Sequence, residues 1–346
     1  MINNAAQNEQ KQHEAKTRSP KLSIVVLNYR TPTLTKRCVE SIFSHKLKFS
    51  FEIIVVNNGY SSVLDLYFKR TWPQVTFHQT GFNGGFAMGV NQGLLRTRGK
   101  YLLLLNSDAT LPVRAAESMV DYLEAHSDVG ILGPREEDDN GHFVPSCGRF
   151  PNLISEMVRK IIHYRLSVND YRLREHIDEQ HKVMSEVDWI SGSCLLMRRE
   201  VLYDTGLLDE QFFMYFEDID FCQRAFMQGW KIRYLPEVTI HHDGGQSARL
   251  NIMKVMLENR RSQLYFSQKH HGNMGVLIIK IFLLTKYGFN FIKWSLWLVL
   301  KKCLRQEARS IYARTLISKK VIELCFKPRS LEPKVARFHP YINPAI

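Results

Sequence analysis

No apolar run opens this sequence. Its first twenty residues are polar and charged, so a disordered tail is expected there and a secretory leader is not. The 6 cysteines, at positions 38, 147, 194, 222, 303 and 325, never take the C-x-x-C spacing of a zinc site, which points to a reduced, cytosolic setting. The glycine-rich stretch Thr80–Gly89 lacks the following Lys-Ser/Thr of a phosphate-binding P-loop. It does not follow the first strand either, and it contains no G-x-G-x-x-G, so the dinucleotide fingerprint is also absent. No internal repeat is visible. Acidic residues are scarce near the C-terminus: 4 of 34 lie beyond residue 250, against 18 of the 47 basic ones. The formal charge of +13 therefore belongs to the last hundred or so residues, and the chain before them is close to neutral.

A basic block of this kind suits nucleic acid or an anionic membrane surface. No nucleic-acid recognition module is readable within it, and no nucleic-acid partner is expected. Val276–Leu300 is rich in Leu, Ile, Phe and Trp and long enough to cross a bilayer, but Lys280, Lys286 and Lys293 interrupt it. On a helix these lysines and Lys301 fall within an arc of roughly 140°, opposite an apolar face. The expectation is a helix lying in the plane of the membrane interface. A true span and a soluble pair of core helices remain the alternatives.

Ahead of that block, strands and helices alternate. Lys21–Asn28 and Phe51–Asn57 are apolar, β-branched runs ended by a polar residue, as in buried parallel strands. Thr31-Pro32 opens a helix whose face is Leu34, Cys38, Val39 and Ile42. A helix over 62–71, a short strand over Val75–His78, a helix after the glycines, the strand Tyr101–Leu105 and a helix over 112–126 follow. Val129–Gly133 reads as a strand and 135–185 as a charged insert with helical stretches. Val187–Arg198 reads as one strand bent at Gly192, Phe221–Gln228 as a helix, and Lys231–Leu235 and Val238–His242 as strands. This order predicts a doubly wound α/β sheet over 21–250, with its ligand site at the carboxyl ends of the strands, and a basic, apolar helical extension over 251–346. Asn28, Asn57 and Asn106–Asp108 all sit at such ends.

The densest chemical signal is Phe213–Cys222, which sets Glu217, Asp218 and Asp220 among aromatic residues. Carboxylates in such company need a cation, hydrogen bonds or a task. Starting a helix at the positive end of its dipole is the purely structural alternative. Arg224, one turn after Asp220, reads as its structural ion-pair partner, and Cys194 and Cys222 read as small buried hydrophobes.

Seven segments in order resemble the inverting glycosyltransferases of family 2, which have the GT-A fold, and among them the bacterial rhamnosyltransferases of O-antigen and related cell-surface polysaccharides. They are Ile-Val-Val-Leu-Asn-Tyr, Glu-Ile-Ile-Val-Val-Asn-Asn, Gly-Phe-Asn-Gly-Gly-Phe-Ala, Leu-Leu-Leu-Asn-Ser-Asp, Val-Asp-Trp-Ile-Ser-Gly-Ser-Cys, Phe-Glu-Asp-Ile-Asp-Phe-Cys-x-Arg and His-x-Gly-Gly-x-Ser, spread from Leu22 to Ser247. The resemblance implies that Asp108, ending an Asp-x-Asp-type motif whose first position is Asn106, binds Mg2+ or Mn2+ together with His242. It makes Asp218 the general base and Glu217 the acceptor-contacting acid. Asn28, Asn57, Asn83, Gly85 and Asn106 fall at the donor. Trp189, read from its own chemistry, is a core residue with one edge toward the acceptor, its indole N–H needing a partner. Where the family usually has Asp, Asn57 keeps an acceptor and adds donors but carries no charge.

The implied activity is transfer of a sugar, L-rhamnose from dTDP-L-rhamnose, to a polyprenyl-diphosphate-linked or polysaccharide acceptor at the cytoplasmic face of the membrane. A UDP-sugar-dependent transferase and a catalytically degenerate scaffold of the same fold are the alternatives. A sugar-1-phosphate nucleotidylyltransferase would want a Gly-rich basic loop where this chain has Asn28-Tyr-Arg-Thr-Pro32.

Overall fold

Seven of the eight strands along one sheet are runs that the sequence marks as strands. The structure, a computed structural model, describes residues 19–44, 46–138, 141–151, 171–242, 252–304 and 308–326. The expected tail before residue 19 and the Gly-Gly-x-Ser part of the last motif lie outside the described residues. The strands are β1 (Leu22–Asn28), β2 (Phe51–Asn57), β3 (Thr76–Gln79), β4 (Tyr101–Asn106), β5 (Ala109–Thr110), β6 (Val129–Glu137), β7 (Phe143–Val144), β8 (Cys147–Gly148), β9 (Ser185–Glu186), β10 (Trp189–Ile190), β11 (Cys194–Arg198) and β12 (Lys231–His242). Their main order is β3-β2-β1-β4-β11-β6-β12-β5. β1 to β4 run parallel, β11 runs antiparallel between β4 and β6, and β12 is parallel to β6. The result is a mixed, doubly wound sheet.

Both faces of the sheet are covered, which explains the unbroken apolar strands. Ile24, Val26, Val55, Leu103 and Leu105 point to one face, against α1 (Pro32–Phe43), α2 (Ser62–Thr71) and α4 (Ala115–Ala125). Val25, Leu102, Leu104, Leu195 and Met197 point to the other, against α3 (Phe86–Leu94), α6 (Arg199–Thr205) and α7 (Glu217–Met227). The described part of the insert holds α5 (Tyr171–Gln180).

Register brings the polar strand ends together: Asn28 pairs with Asn57, and Leu27 with Asn106. Three details differ from the sequence reading. β10 and β11 are separate strands on either side of a turn at Gly192–Ser193: β10 pairs with β8, extended by the bond from Ser191 N to the Ser146 carbonyl, and β11 pairs with β4 and β6. β12 is one strand with a register shift between Leu235 and Thr239. The α7 helix starts at Glu217, four residues before the apolar pattern suggests, after two left-handed residues, Tyr215 (φ 69) and Phe216 (φ 70).

Beyond the sheet, α8 (Ile252–Cys303) is broken at Gly272, where φ is 63, and α9 (Arg309–Phe326) packs back along it. Leu264, Val276, Leu283 and Tyr287 of α8 form one apolar cluster with Val321, Leu324 and Cys325 of α9. The first part of α8 also packs against the segment before α7: Phe266 is buried with Phe212 and Phe216. Within α8 the backbone breaks at Gly272, while the change of composition near residue 250 lies outside the described residues.

Candidate active site

A cleft of about 570 Å³ opens at the carboxyl ends of the strands. Asn83, Gly85, Asn106, Asp108, Glu217, Asp218 and His242 line it, with Tyr29, Arg30, Asn58, Ser191–Ser193, Phe213–Tyr215, Lys254, Val255 and Glu258. Seven of the residues expected at a site thus converge. Three do not line the cleft: Asn28, Asn57 and Trp189.

The Asn28 and Asn57 side chains lie beneath the cleft. Asn28 Nδ2 donates to Asn57 Oδ1 at 2.8 Å, and Asn28 Oδ1 accepts from Thr31 N, Thr31 Oγ1 and Thr35 Oγ1. Asn57 Nδ2 donates to Gln79 Oε1, a bond an aspartate could not make. The pair ties strand ends together, and in this structure neither side chain is free to reach a donor. Trp189 is likewise engaged: its indole N–H donates to the Arg149 carbonyl at 2.9 Å, in the two-stranded pairing with Gly148.

The glycine-rich loop is shaped by Asn58, a residue to which the sequence reading gave no site role. Its Nδ2 donates to the Gly85 carbonyl at 2.8 Å and its Oδ1 accepts from Gly84 N. The Asn-Asn doublet ending β2 was the available signal. Gly85 has φ 94, and a Cβ there would lie 2.3 Å from the Phe213 carbonyl oxygen, so only glycine fits. Phe86 N donates to that carbonyl at 2.7 Å, joining the loop to the aromatic segment before α7.

Asp218 is held by two backbone donors, Gly192 N on Oδ2 (3.1 Å) and Ile219 N on Oδ1 (2.8 Å). Burial raises its carboxyl above the usual range, while those N–H groups pull the other way. Each oxygen keeps a second lone pair, so the group can still accept a proton. Glu217 is 4% exposed, and its Oε2 is buried without a hydrogen-bond partner among the described residues. Burial and the charge of Asp218 push its carboxyl well above the normal value.

His242 faces Asp108 because β12 pairs with β5, His242 opposite Ala109. Its Nε2 lies 3.2 Å from Asp108 Oδ1, buried and out of line for a hydrogen bond. Its Nδ1 bonds to Glu136 Oε2 at 2.7 Å, and Ser193 Oγ donates to the other Glu136 oxygen. Nothing in the sequence marked Glu136, which ends a strand in a charged run. Burial would lower the His242 imidazole, but the carboxylates of Asp108 and Glu136 raise it to about 10. Positive charge is favoured at this point, whether carried by a proton or by a cation.

Among the described residues no cluster of three or more His, Cys, Asp or Glu forms a cage for a metal. A pair of protein ligands is nevertheless what Mg2+ or Mn2+ needs when substrate phosphates complete the shell. Adjacent ligands about 2.1 Å from an octahedral ion stand about 3 Å apart, close to the observed spacing. The Glu136 carboxylate fixes the imidazole ring from behind, as outer partners of metal-binding histidines do. Asp108 and His242 therefore fit the expected ion.

Residues 20–270 match the family described as glycosyltransferase-like family 2. The N-acetylglucosaminyl-diphospho-decaprenol L-rhamnosyltransferase of Mycobacterium tuberculosis is 23% identical over 263 residues, which cover 72% of this chain and 85% of the relative. Rhamnosyltransferase WbbL of Escherichia coli K12 is 28% identical over 151 residues, 41% of this chain and 53% of the relative. The solved mannosyltransferase PcManGT from Pyrobaculum calidifontis is similar over 88% of this chain and 86% of its own, with 14% identity and a TM-score of 0.48. With nearly three quarters of its length matched, and the cleft at the strand ends of a mixed α/β sheet, the chain belongs to glycosyltransferase family 2 and is a GT-A-type glycosyltransferase.

Proposed function

We propose that the protein moves L-rhamnose from dTDP-L-rhamnose, with inversion, to a hydroxyl of a polyprenyl-diphosphate-linked or polysaccharide acceptor during cell-surface glycan synthesis. The observation that carries this reading is Asp218, presented to the cleft with its basicity raised and its two oxygens oriented by Gly192 and Ile219. The choice of rhamnose rests on the relatives named above.

In the reaction the acceptor oxygen attacks the anomeric carbon, and the bond from that carbon to the diphosphate breaks with its electron pair leaving on the diphosphate. The hydroxyl proton passes to Asp218, a contribution typically of about 10²–10⁴-fold. Held by Asp108 and His242, Mg2+ or Mn2+ would supply positive charge for the departing diphosphate. Asn58 and Gly85 hold the loop over the donor side, and Arg30 adds a cation to the same cleft.

An acceptor on a lipid places the work at the cytoplasmic membrane face. Supporting this, α8 is the one helix among the described residues long and apolar enough to cross a membrane, and little of its most apolar stretch is buried. Leu277, Ile281, Ile292, Leu296 and Val299 are exposed along one side of it. Full-length protein incubated with membranes, divalent metal and a panel of dTDP-rhamnose and UDP-sugars tests the reading. Acceptor-dependent release of dTDP is expected. Release of UDP with none of dTDP would replace rhamnose by another sugar, and no release from any donor would remove the enzymatic assignment.

A further inference from the structure

The C-terminal helix brings to the cleft an acid that the reaction above leaves idle. Glu258 lies two turns into α8, lines the cleft, and is only 8% exposed. Its Oε1 accepts from Arg261 Nη1 at 2.5 Å, whereas its Oε2 is buried with no hydrogen-bond partner among the described residues. A buried carboxylate oxygen without a donor is costly, and such orphans call for a ligand or a role.

Two contacts fix the helix that carries this oxygen. Ser262 Oγ, one turn further along α8, donates to the Met214 carbonyl at 2.9 Å. Phe266, a turn beyond, sets its ring centroid 5.4 Å from that of Phe216. Both contacts fasten α8 to the segment that leads into Glu217 and Asp218. Glu258 therefore stands with the proton-accepting side of the cleft, where the Glu217 Oε2 orphan also lies. Carboxyl oxygens without a protein donor match hydroxyl groups, and the ligand with hydroxyls to offer on this side is the acceptor sugar.

We propose that Glu258 Oε2 accepts a hydrogen bond from a hydroxyl of the acceptor sugar, so that the C-terminal extension helps to select the acceptor. This rests on the proposed transfer to a sugar hydroxyl, and it makes α8 a wall of the active site as well as a membrane-facing element. Glu258→Gln is the sharp variant: it keeps the shape and can still accept from Arg261, but it can set an amide donor where the orphan oxygen stood.

Full-length wild type and Glu258→Gln are compared with short-chain prenyl diphosphates bearing N-acetylglucosamine, glucose or galactose. Single-deoxy analogues of the best of these complete the panel. The expected result is an acceptor KM raised on the order of tenfold, with donor KM, acceptor-independent donor hydrolysis and melting temperature unchanged. One deoxy analogue should abolish the difference between the two proteins. Calorimetry of acceptor binding to protein loaded with metal and dTDP gives the same comparison without turnover. Equal acceptor affinity in the two proteins, or a loss shared by donor binding and melting temperature, would overturn the proposal while leaving the transferase reading in place. Failure of the wild type to bind or glycosylate any panel member would overturn both.

Discussion

His270 Nε2 donates to Asp220 Oδ1 at 2.7 Å, joining the helix that carries Asp218 to the C-terminal helix. Lys269 Nζ reaches the same oxygen at 2.8 Å and continues to Asp209 at 2.6 Å, while Arg224 Nε bonds Asp220 Oδ2 at 2.9 Å. Asp220 is 0% exposed, so a charge there persists only because several cationic or donor groups surround it. The last acid of the Phe-Glu-Asp-Ile-Asp run is thus a clamp and not a reacting group. Just ahead of this helix Tyr215 and Phe216 take left-handed conformations, which cost about 1–3 kcal/mol each, and Phe216 packs on Phe266.

That clamp should be visible in acid. Burial alone would raise the Asp220 carboxyl, but His270, Arg224 and Lys269 outweigh it and hold it at about 2, below its ordinary 3.8. A depressed carboxyl stabilises the fold above the unfolded value and loses that contribution as pH falls from about 4 toward 2. Its size is on the order of 2 kcal/mol. Urea unfolding of wild type and Asp220→Asn should differ by about that amount at pH 6, and the gap should shrink as pH falls from about 4 toward 2. A gap that stays constant with pH would mean that charge is not the cause.

For Asp218 the sign is opposite. Its carboxyl is raised, so folding works against ionisation, and the charge destabilises the native state at neutral pH. Asp218→Asn should lower transfer by about 10²–10⁴-fold, leave donor binding intact, and raise the melting temperature. Wild-type activity should fall on the acid side at a pH above the ordinary carboxylate range. Turnover near wild type in Asp218→Asn, with equal protein in both assays, would remove Asp218 from the role of base.

Asp108→Ala and His242→Ala should each weaken metal-dependent nucleotide-sugar binding, and the double variant should be little worse than either, because both substitutions empty one ligand pair. Glu136→Gln, which leaves that pair in place but loosens the ring behind it, should cost about 10–100-fold in metal affinity. Calorimetric titration of Mn2+ with donor present reads all four proteins. Unchanged affinity in His242→Ala would dismiss the proposed ion site.

Most of the sheet was legible because strands covered on both faces must be apolar without interruption, and Leu22–Asn28, Phe51–Asn57 and Tyr101–Asn106 are. Strand order placed Asn28, Asn57 and Asn106–Asp108 at the ligand end of the sheet, while the grouping of Asp108 with Asp218 and His242 was implied by the family resemblance. What sequence did not disclose depended on pairing. Asp108 meets His242 through β5, a strand of two residues with no period to detect, and Glu136 arrives from a neighbouring strand. Asn28 and Asn57 were placed at the donor by the resemblance; their mutual hydrogen bond depends on the register of β1 and β2, which the sequence does not spell out. The division at residue 250 followed charge, whereas Ser262, Phe266, Lys269 and His270 bind α8 to the core with no shift in composition. Glu258 had left one trace: it is among the 4 acids in an otherwise basic segment.

The exposed side of α8 leads to the last prediction. Leu277, Ile281, Ile292, Leu296 and Val299 lie uncovered on one side, while Val276, Leu283 and Tyr287 are buried against α9. Arg314 sits 4.7 Å from the Trp294 ring, fixing the two helices together. A surface of this kind adsorbs to anionic lipid by two parts: apolar burial, which salt does not weaken, and attraction of about 1 kcal/mol per nearby lysine or arginine, which salt screens. Replacing Ile281 and Ile292 by Asp in the full-length chain should abolish the salt-insensitive part of vesicle sedimentation. It should leave donor binding unchanged, since neither side chain lines the cleft. Activity on a lipid-linked acceptor should fall more than activity on a water-soluble one. If the double variant sediments with phosphatidylglycerol vesicles as the wild type does at 1 M salt (a Debye length of about 3 Å), the exposed stripe is not the membrane contact. If wild-type protein leaves membranes only in detergent, and not in high salt or alkali, the helix spans the bilayer instead of lying on it.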